Sequence, residues 1–144
     1  MKQLFAAGVA LLFLLGGPAN SKTASEAGPS VHSTSLDACI AKAGGVDAAR
    51  ADCDEAEFTR QDKMLNSVYR ELIALSDTDA KAAMQKSERA WMAFRDAQCD
   101  YEYRQEGGGT LARVIFSSCR LRVTVERLET LKHFLALERE YGGR

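Results

Sequence analysis

The sequence has little of what several large classes of protein need. It holds only 2 histidines, and His32 and His133 lie near opposite ends of the chain. Histidines so far apart form no metal-binding motif, and no serine–histidine pairing on facing segments is evident. No segment alternates apolar and polar residues as a half-buried strand does, and no internal repeat is present. These absences argue against a β-rich fold, a metal centre and catalysis by a serine–histidine pair.

The longest uncharged apolar run is too short to cross a membrane. It covers residues 4–15, follows a lysine and precedes a group of small residues at 16–19. A cation, a short apolar run and small residues behind it are typical of a secretory signal peptide. We therefore expect residues 1–24 to be a signal peptide, and cleavage after either Ala19 or Ala24 suits the small-residue requirement.

After cleavage we expect a periplasmic or secreted protein without a membrane anchor. No cysteine follows the apolar run closely enough to accept a lipid. Residues 25–35 are mostly Ser, Gly, Pro and Thr, which predicts a disordered leader. Residues 36–144 are long enough to form one domain with one core.

The mature chain is mildly acidic. The full sequence holds 19 Lys and Arg against 20 Asp and Glu, and loss of the two lysines at positions 2 and 22 leaves a net charge of about −3. This balance argues against nucleic acid as a partner and slightly favours a cationic protein partner. It does not define the oligomeric state.

Four cysteines remain in the exported part, at Cys39, Cys53, Cys99 and Cys119. An even number in an oxidising compartment predicts two disulfides, whereas zinc sites favour close cysteine pairs that are absent here. We therefore expect no metal and no other cofactor.

Helical periodicity dominates the rest of the chain. A short helical segment at 36–43 is followed by three long helices, expected at about 47–75, 78–104 and 110–141. Glycines or clusters of capping residues separate them, and short links favour antiparallel neighbours. The predicted fold is all-α: an elongated antiparallel three-helix bundle with a short N-terminal helical appendage and two disulfides. Levels measured along these helices leave two disulfide pairings open, Cys99 with Cys119 or Cys99 with Cys53.

The spacing of apolar residues predicts which helix faces are buried. In the first long helix the apolar stripe comprises Phe58, Leu65, Tyr69, Leu72 and Ile73. Its predicted solvated face comprises Arg50, Asp54, Glu57, Lys63 and Arg70. In the second the inward set is expected to be Ala80, Ala83, Met84, Ser87, Ala90, Trp91, Phe94 and Tyr101.

Polar residues beside these faces predict a network between the helices. The candidates are Asp62, Asn66, Tyr69, Trp91, Arg95, Asp96, Thr124 and Arg127. Apolar contacts alone allow two helices to pack in more than one register, whereas polar residues at the interface fix one register. We therefore interpret the network as structural. Asp62 and Asp96 do not suggest acid catalysis, because nearby arginines keep both carboxylates ionised.

Three motifs together resemble those of the LprI-type lysozyme-inhibitor family. Residues 62–69 fit its D-x-x-L-N-x-x-Y element, residues 91–99 its W-x-x-x-R-D-x-x-C element, and residues 119–131 its C-x4-T-x-x-R-x-x-x-L tail. The similarity covers about residues 39–135. One departure is visible, since the family usually has Gln three residues before the Trp and this chain has Glu88.

The resemblance implies a small exported helical domain and, for some members, inhibition of lysozyme. It also favours pairing Cys39 with Cys53 and Cys99 with Cys119, because family members often have a shorter segment between the last two cysteines. A non-enzymatic inhibitor would block the lysozyme cleft by protein–protein contact. An alternative is an envelope structural or adaptor module that binds another exported protein and has no effect on lysozyme.

The end of the second long helix is the candidate contact surface for a protein partner. Two tyrosines and two acids there precede a flexible glycine loop, a composition that suits an interface. The candidate residues are Tyr101, Glu102, Tyr103, Glu106, Gly107, Gly108 and Gly109.

Overall fold

The computed structural model describes residues 33–142, which form four α-helices and contain no strand. Helix α1 spans Thr34–Ala43, α2 spans Asp47–Leu75, α3 spans Thr78–Gln105 and α4 spans Gly109–Tyr141. The predicted signal peptide and most of the predicted leader lie outside the described residues. Because α1 begins at Thr34, the last two residues expected in the leader are helical.

Side-chain caps and glycines set several helix ends. The hydroxyl of Ser33 accepts a hydrogen bond of 3.1 Å from the amide of Leu36 and caps α1. Asp77 caps α3 by accepting a 2.8 Å bond from the amide of Ala80. Gly44 follows α1 with φ of 57°, a left-handed conformation that glycine adopts without steric cost.

Helix α4 is the central element, because it packs against both α2 and α3, while α1 packs on α2. Contacts between α2 and α4 show that these two helices run parallel. The hydroxyl of Thr110 donates to Asp47 at 3.3 Å, and that of Ser118 donates to Asp54 at 2.6 Å. The residue numbers of the bonded partners thus increase in the same direction along the two helices.

Helix α3 runs antiparallel to α4. Glu102, near the end of α3, accepts from Arg122 at 2.9 Å, whereas the earlier Glu88 accepts from the later Arg127 at 2.7 Å. The order of partners is therefore reversed along the two helices.

Two disulfides join neighbouring helices. Cys39–Cys53 links α1 to α2 and Cys99–Cys119 links α3 to α4, with Cα separations of 5.7 and 5.6 Å. This is the pairing that the family resemblance favours, and it excludes the alternative bond between Cys53 and Cys99.

The core lies mainly between α2 and α4. The expected stripe on α2 is confirmed at Phe58, Leu65 and Leu72, which are buried. Helix α4 supplies the largest share of the buried residues: Ala112, Ser117, Cys119, Leu121, Val123, Thr124, Val125, Leu128, Leu131 and Leu135.

The predicted inward face of α3 is largely wrong. Only Glu88 and Cys99 of this helix are buried, and Trp91 is half-buried. Phe94 is 56% exposed and Tyr101 is 60% exposed. Three of the four small residues expected inside are also solvent-exposed: Ala83, Ser87 and Ala90. Ala80 and Met84 are half-buried, as predicted for the inward face. The ion pair at Glu88 and the disulfide at Cys99 turn a different side of the helix towards α4.

The predicted solvated face of α2 is wrong at two positions. Asp54 and Glu57 are buried, with 1% and 4% of their surface exposed. Each carboxylate is buried together with hydrogen-bond donors from another helix or from its cap, which compensates the loss of water.

Candidate functional site

A groove of about 410 Å³ runs between α2 and α3. It exists because both helices pack on α4 rather than closely on one another. Its walls carry residues from both of the first two sequence motifs. The lining residues are Asp62, Leu65, Asn66, Tyr69, Gln85, Glu88, Arg89, Trp91, Met92 and Arg95. Five of the eight predicted network residues therefore share one groove.

On the α2 side the groove carries a local hydrogen-bonded pair. The side-chain amide of Asn66 donates to the carboxylate of Asp62 at 2.9 Å and to its backbone carbonyl at 2.8 Å. This pair lies at the spacing of one helical turn, so the motif residues stabilise their own helix surface. The bond does not reach α3 or α4.

Arginines and aromatic rings alternate beside this groove. The guanidinium carbon of Arg95 lies 5.1 Å from the ring centroid of Trp91 and 5.8 Å from that of Phe58. Arg127 lies 5.8 Å from Trp91, and Arg120 lies 3.9 Å from Phe58. Each such cation–π contact contributes of the order of 0.5–2 kcal/mol when partly desolvated. The rings thus help to hold α2, α3 and α4 together.

Of the three other network residues, Arg127 contacts the ring of Trp91, whereas two are placed differently. Asp96 is mostly exposed and bonds to its chain neighbour Arg95, at 2.9 and 3.0 Å. Thr124 is fully buried, and its hydroxyl has no hydrogen-bond partner within the described part of the chain. The structure therefore does not join all eight predicted residues into one network.

Sequence periodicity missed a buried carboxylate between α2 and α4. Asp54 accepts hydrogen bonds from Ser118 at 2.6 Å, from Ser117 at 3.4 Å and from Arg50 at 3.3 Å. The adjacent serines inside an otherwise apolar stretch of α4 are the one signal that points to a buried polar partner.

A second missed carboxylate fastens α1 to α2. Glu57 accepts from Ser33 at 3.0 Å, from Gln61 at 2.7 Å and from Arg60. Burial raises the pKa of Glu57. The hydrogen bonds and the charge of Arg60 lower it by more than burial raises it, so the pKa of Glu57 lies below the ordinary value. The ionised form is therefore the one that holds the start of α1.

The predicted partner-binding residues divide into two groups. Glu102 accepts hydrogen bonds from Arg122 and Gln98, both at 2.9 Å, and Tyr103 contacts the ring of Phe116 edge-on at 6.2 Å. These two residues belong to the packing between α3 and α4.

The other five predicted residues are mostly exposed: Tyr101, Glu106, Gly107, Gly108 and Gly109. Together with the exposed Val46 and Leu111 they are here named the loop end. The three glycines have φ of 69°, 95° and 87°, which side chains other than glycine rarely adopt. Val46 and Leu111 are 57% and 50% exposed. Their chain neighbours, Asp47 and Thr110, are joined by a hydrogen bond.

Neither a metal site nor a membrane span is found in residues 33–142. No group of three or more His, Cys, Asp or Glu residues in this range is arranged to hold a metal ion. None of its helices is both long and apolar enough to cross a membrane.

Comparison with known proteins places this helical, disulfide-linked domain in a family of inhibitors. The family model described as "Lysozyme inhibitor LprI" matches residues 39–131. The chain belongs to the LprI lysozyme-inhibitor family. It is also 29% identical over 96 residues to an uncharacterised protein of Rhizobium meliloti (strain 1021), covering 58% of this chain and 69% of that protein. No solved structure matches the chain.

Proposed function

We propose that this protein is an exported inhibitor that slows a lysozyme by binding over its cleft. The observation that carries the proposal is the family match from Cys39 to Leu131, which spans both disulfides and all three motifs. It acts by contact and not by catalysis. The body that presents the contact surface is, in this proposal, an elongated bundle of α2, α3 and α4 in which α3 runs antiparallel to the other two, with α1 as an appendage.

The loop end is the surface that best suits such contact. A lysozyme cleft is narrow and lined by carboxylates, so an inhibitor needs a thin protruding element to enter it. Glycines 107–109 carry no side chains and make a turn of small cross-section between α3 and α4. Tyr101 beside the turn is 60% exposed and offers a rigid aromatic contact.

Charge assists the encounter rather than the final fit. Animal-type lysozymes are basic, and the mature chain has a net charge of about −3. Glu106 is exposed at the tip of α3, next to the glycines. An acidic residue in this position draws a cationic partner towards the turn and raises the association rate.

The two disulfides suit a compartment outside the cytoplasm, where oxidised cysteines persist. In the proposal the protein is periplasmic or secreted, so it meets a lysozyme that reaches the envelope. Export is checked by fractionating cells that produce the full-length chain and measuring both the location and the length of the product.

The test of function is lysis of a peptidoglycan suspension by chicken-type and by goose-type lysozyme. The mature protein, added at several-fold molar excess, is expected to slow at least one of them, and its reduced and unfolded form is expected to have no effect. Undiminished lysis by both enzymes in the presence of folded protein would contradict the proposal. Recovery of a specific non-lysozyme partner from envelope extract would then support the adaptor alternative.

A further inference from the structure

One side of α3, bordering its contact with α4, carries a stripe of exposed and mostly apolar residues. Within the described chain, Ser87 of this stripe accepts a 3.2 Å hydrogen bond from Arg127 of α4, and Phe94 lines a cleft with Val123 and Thr130. The members of the stripe alternate at spacings of three and four residues, the pattern of a coiled-coil seam. All are solvent-exposed: Ala83, Ser87, Ala90, Phe94, Ala97 and Tyr101. The stripe runs for about 27 Å along the helix. The name outer stripe is used below for these six residues.

Large and small residues alternate along the outer stripe in a way that complements itself. Phe94 and Tyr101 project, whereas Ala83, Ala90 and Ala97 leave recesses at the same spacing. An exposed helix needs no such order. A second helix of the same sequence, laid in the opposite direction, would set each projecting ring against a recess.

We propose that the outer stripe binds the outer stripe of a second copy of this chain, with the two α3 helices antiparallel. In the matching register Ala90 faces Phe94 of the second copy, Ala83 faces Tyr101, and Ser87 faces Ala97. Each contact occurs twice about a two-fold axis, as a closed symmetric dimer requires. A parallel pair would stack ring on ring and leave gaps between the alanines.

The charges beside the stripe fit the same register. Lys86 and Asp100 lie on the same flank of the stripe and on opposite sides of its centre, so the antiparallel arrangement brings each lysine near the aspartate of the second copy. At the outer layer Arg104 meets Ala80 of the second copy, next to Asp79. Asp100 already accepts a 2.7 Å hydrogen bond from Arg104 of its own helix, and a carboxylate has room to accept a further donor.

Five helical turns bury an area near the lower limit for a specific interface, about 1,000 Å² in total. For an interface of this size we expect a dimer that is in equilibrium with monomer at micromolar concentration. The inference goes beyond the proposed function and needs no lysozyme. The dimer covers Tyr101 of the loop end and leaves Glu106 and the glycine turn uncovered.

Sedimentation equilibrium of the mature, disulfide-intact protein tests the interface. The wild type is expected to show a monomer–dimer equilibrium, and Phe94→Glu is expected to weaken dimerisation by at least about tenfold. Met64→Glu, which alters an exposed apolar residue on α2, is the matched control and should leave the equilibrium unchanged. A wild type that stays monomeric up to about 500 µM, more than a hundredfold above a micromolar dissociation constant, would overturn the proposal.

Charge reversal tests the antiparallel register. Lys86→Asp and Asp100→Lys are each expected to weaken dimerisation about threefold to tenfold, and the double variant is expected to recover most of the loss. Lys63→Asp on α2 is the control for a lysine remote from α3. If the double variant is as weak as the product of the single effects, the proposed register is wrong. Circular dichroism of every variant separates these outcomes from a loss of folding.

Discussion

The carboxylate of Glu88 and the guanidinium of Arg127 form an ion pair that is almost completely removed from solvent. Their side chains are only 10% and 11% exposed, and two nitrogens of Arg127 donate to one oxygen of Glu88 at 2.7 and 3.0 Å. The pair joins α3 to α4 at the position where this chain departs from the glutamine usual in its family. The departure therefore has a structural partner.

Replacing Glu88 should show what the charge contributes. Glu88→Gln keeps a hydrogen-bond acceptor but leaves the buried cation of Arg127 without its counter-ion, so we expect a loss of about 1–3 kcal/mol in the free energy of unfolding. Glu88→Ala removes both the counter-ion and the hydrogen-bond acceptor, and should lower the free energy of unfolding by about 3–5 kcal/mol. Urea denaturation provides the measurement, and equal stability of the Gln variant and wild type would mean that the pair has no net charge effect.

Acid should loosen the attachment of α1. The pKa of Glu57 in the folded protein lies below its ordinary value of 4.5, so the unfolded chain takes up this proton first as the pH falls. The stabilisation is complete above pH 4.5 and is lost as the pH drops through the lower folded pKa. Unfolding curves between neutral pH and pH 3 should show a smaller acid-induced loss for Glu57→Gln than for the wild type.

Trp91 tests how much of the core depends on α3. The ring is half-buried beside Arg95 and Arg127, so Trp91→Ala loses apolar burial and two cation–π contacts. We expect a cost of about 3–5 kcal/mol, and a smaller one for Trp91→Phe. Both are measured by thermal denaturation followed by circular dichroism. A folded and equally stable Trp91→Ala protein without inhibitory activity would show that this ring is functional rather than structural.

The two disulfides should differ in what their removal does. Cys99–Cys119 joins α3 to the central helix, and its replacement by a serine pair should cost about 2–4 kcal/mol in global stability. Cys39–Cys53 holds only the short α1 to α2. Its removal should mainly increase hydrogen exchange in residues 34–43 and leave α3 and α4 protected. Equal loss of protection in all four helices would contradict this division.

Helix ends were largely predictable from the sequence because their signals are local. Glycines 44 and 107 lie at the observed boundaries, and the cluster of capping residues at 76–79 contains the observed cap, Asp77. The buried stripe on α2 was predictable for the same reason. The apolar residues around Leu65 and Leu72 are spaced so that they lie on one face of the helix only.

The rotation of α3 was not predictable, because apolar residues lie on two sides of this helix, Met84 and Trp91 on one and Phe94 and Tyr101 on the other. The choice between them depends on partners far away in sequence, Arg127 for Glu88 and Cys119 for Cys99. Apolar spacing along α3 alone favoured the side with Phe94 and Tyr101. The buried carboxylates were missed for a related reason, since their donors belong to other segments.

Within the candidate site the sequence located the residues but not their relationships. Five network residues line one groove, whereas Asp96 is exposed and Thr124 is buried elsewhere. Among the predicted contact residues, Glu102 accepts a hydrogen bond from Arg122, and the ring of Tyr103 packs against that of Phe116. These assignments depend on how α3 packs against α4.

The central claim is that the loop end is the surface that inhibits lysozyme, and its most direct test compares two charge reversals in the lysis assay. Glu106→Lys changes the exposed acid at the loop end, and Glu140→Lys makes the same change near the far end of α4. Titrated against a lysozyme that the wild type inhibits, Glu106→Lys should need at least about tenfold more protein for half inhibition, while Glu140→Lys should match the wild type. Equal potency of all three proteins would contradict the loop-end account.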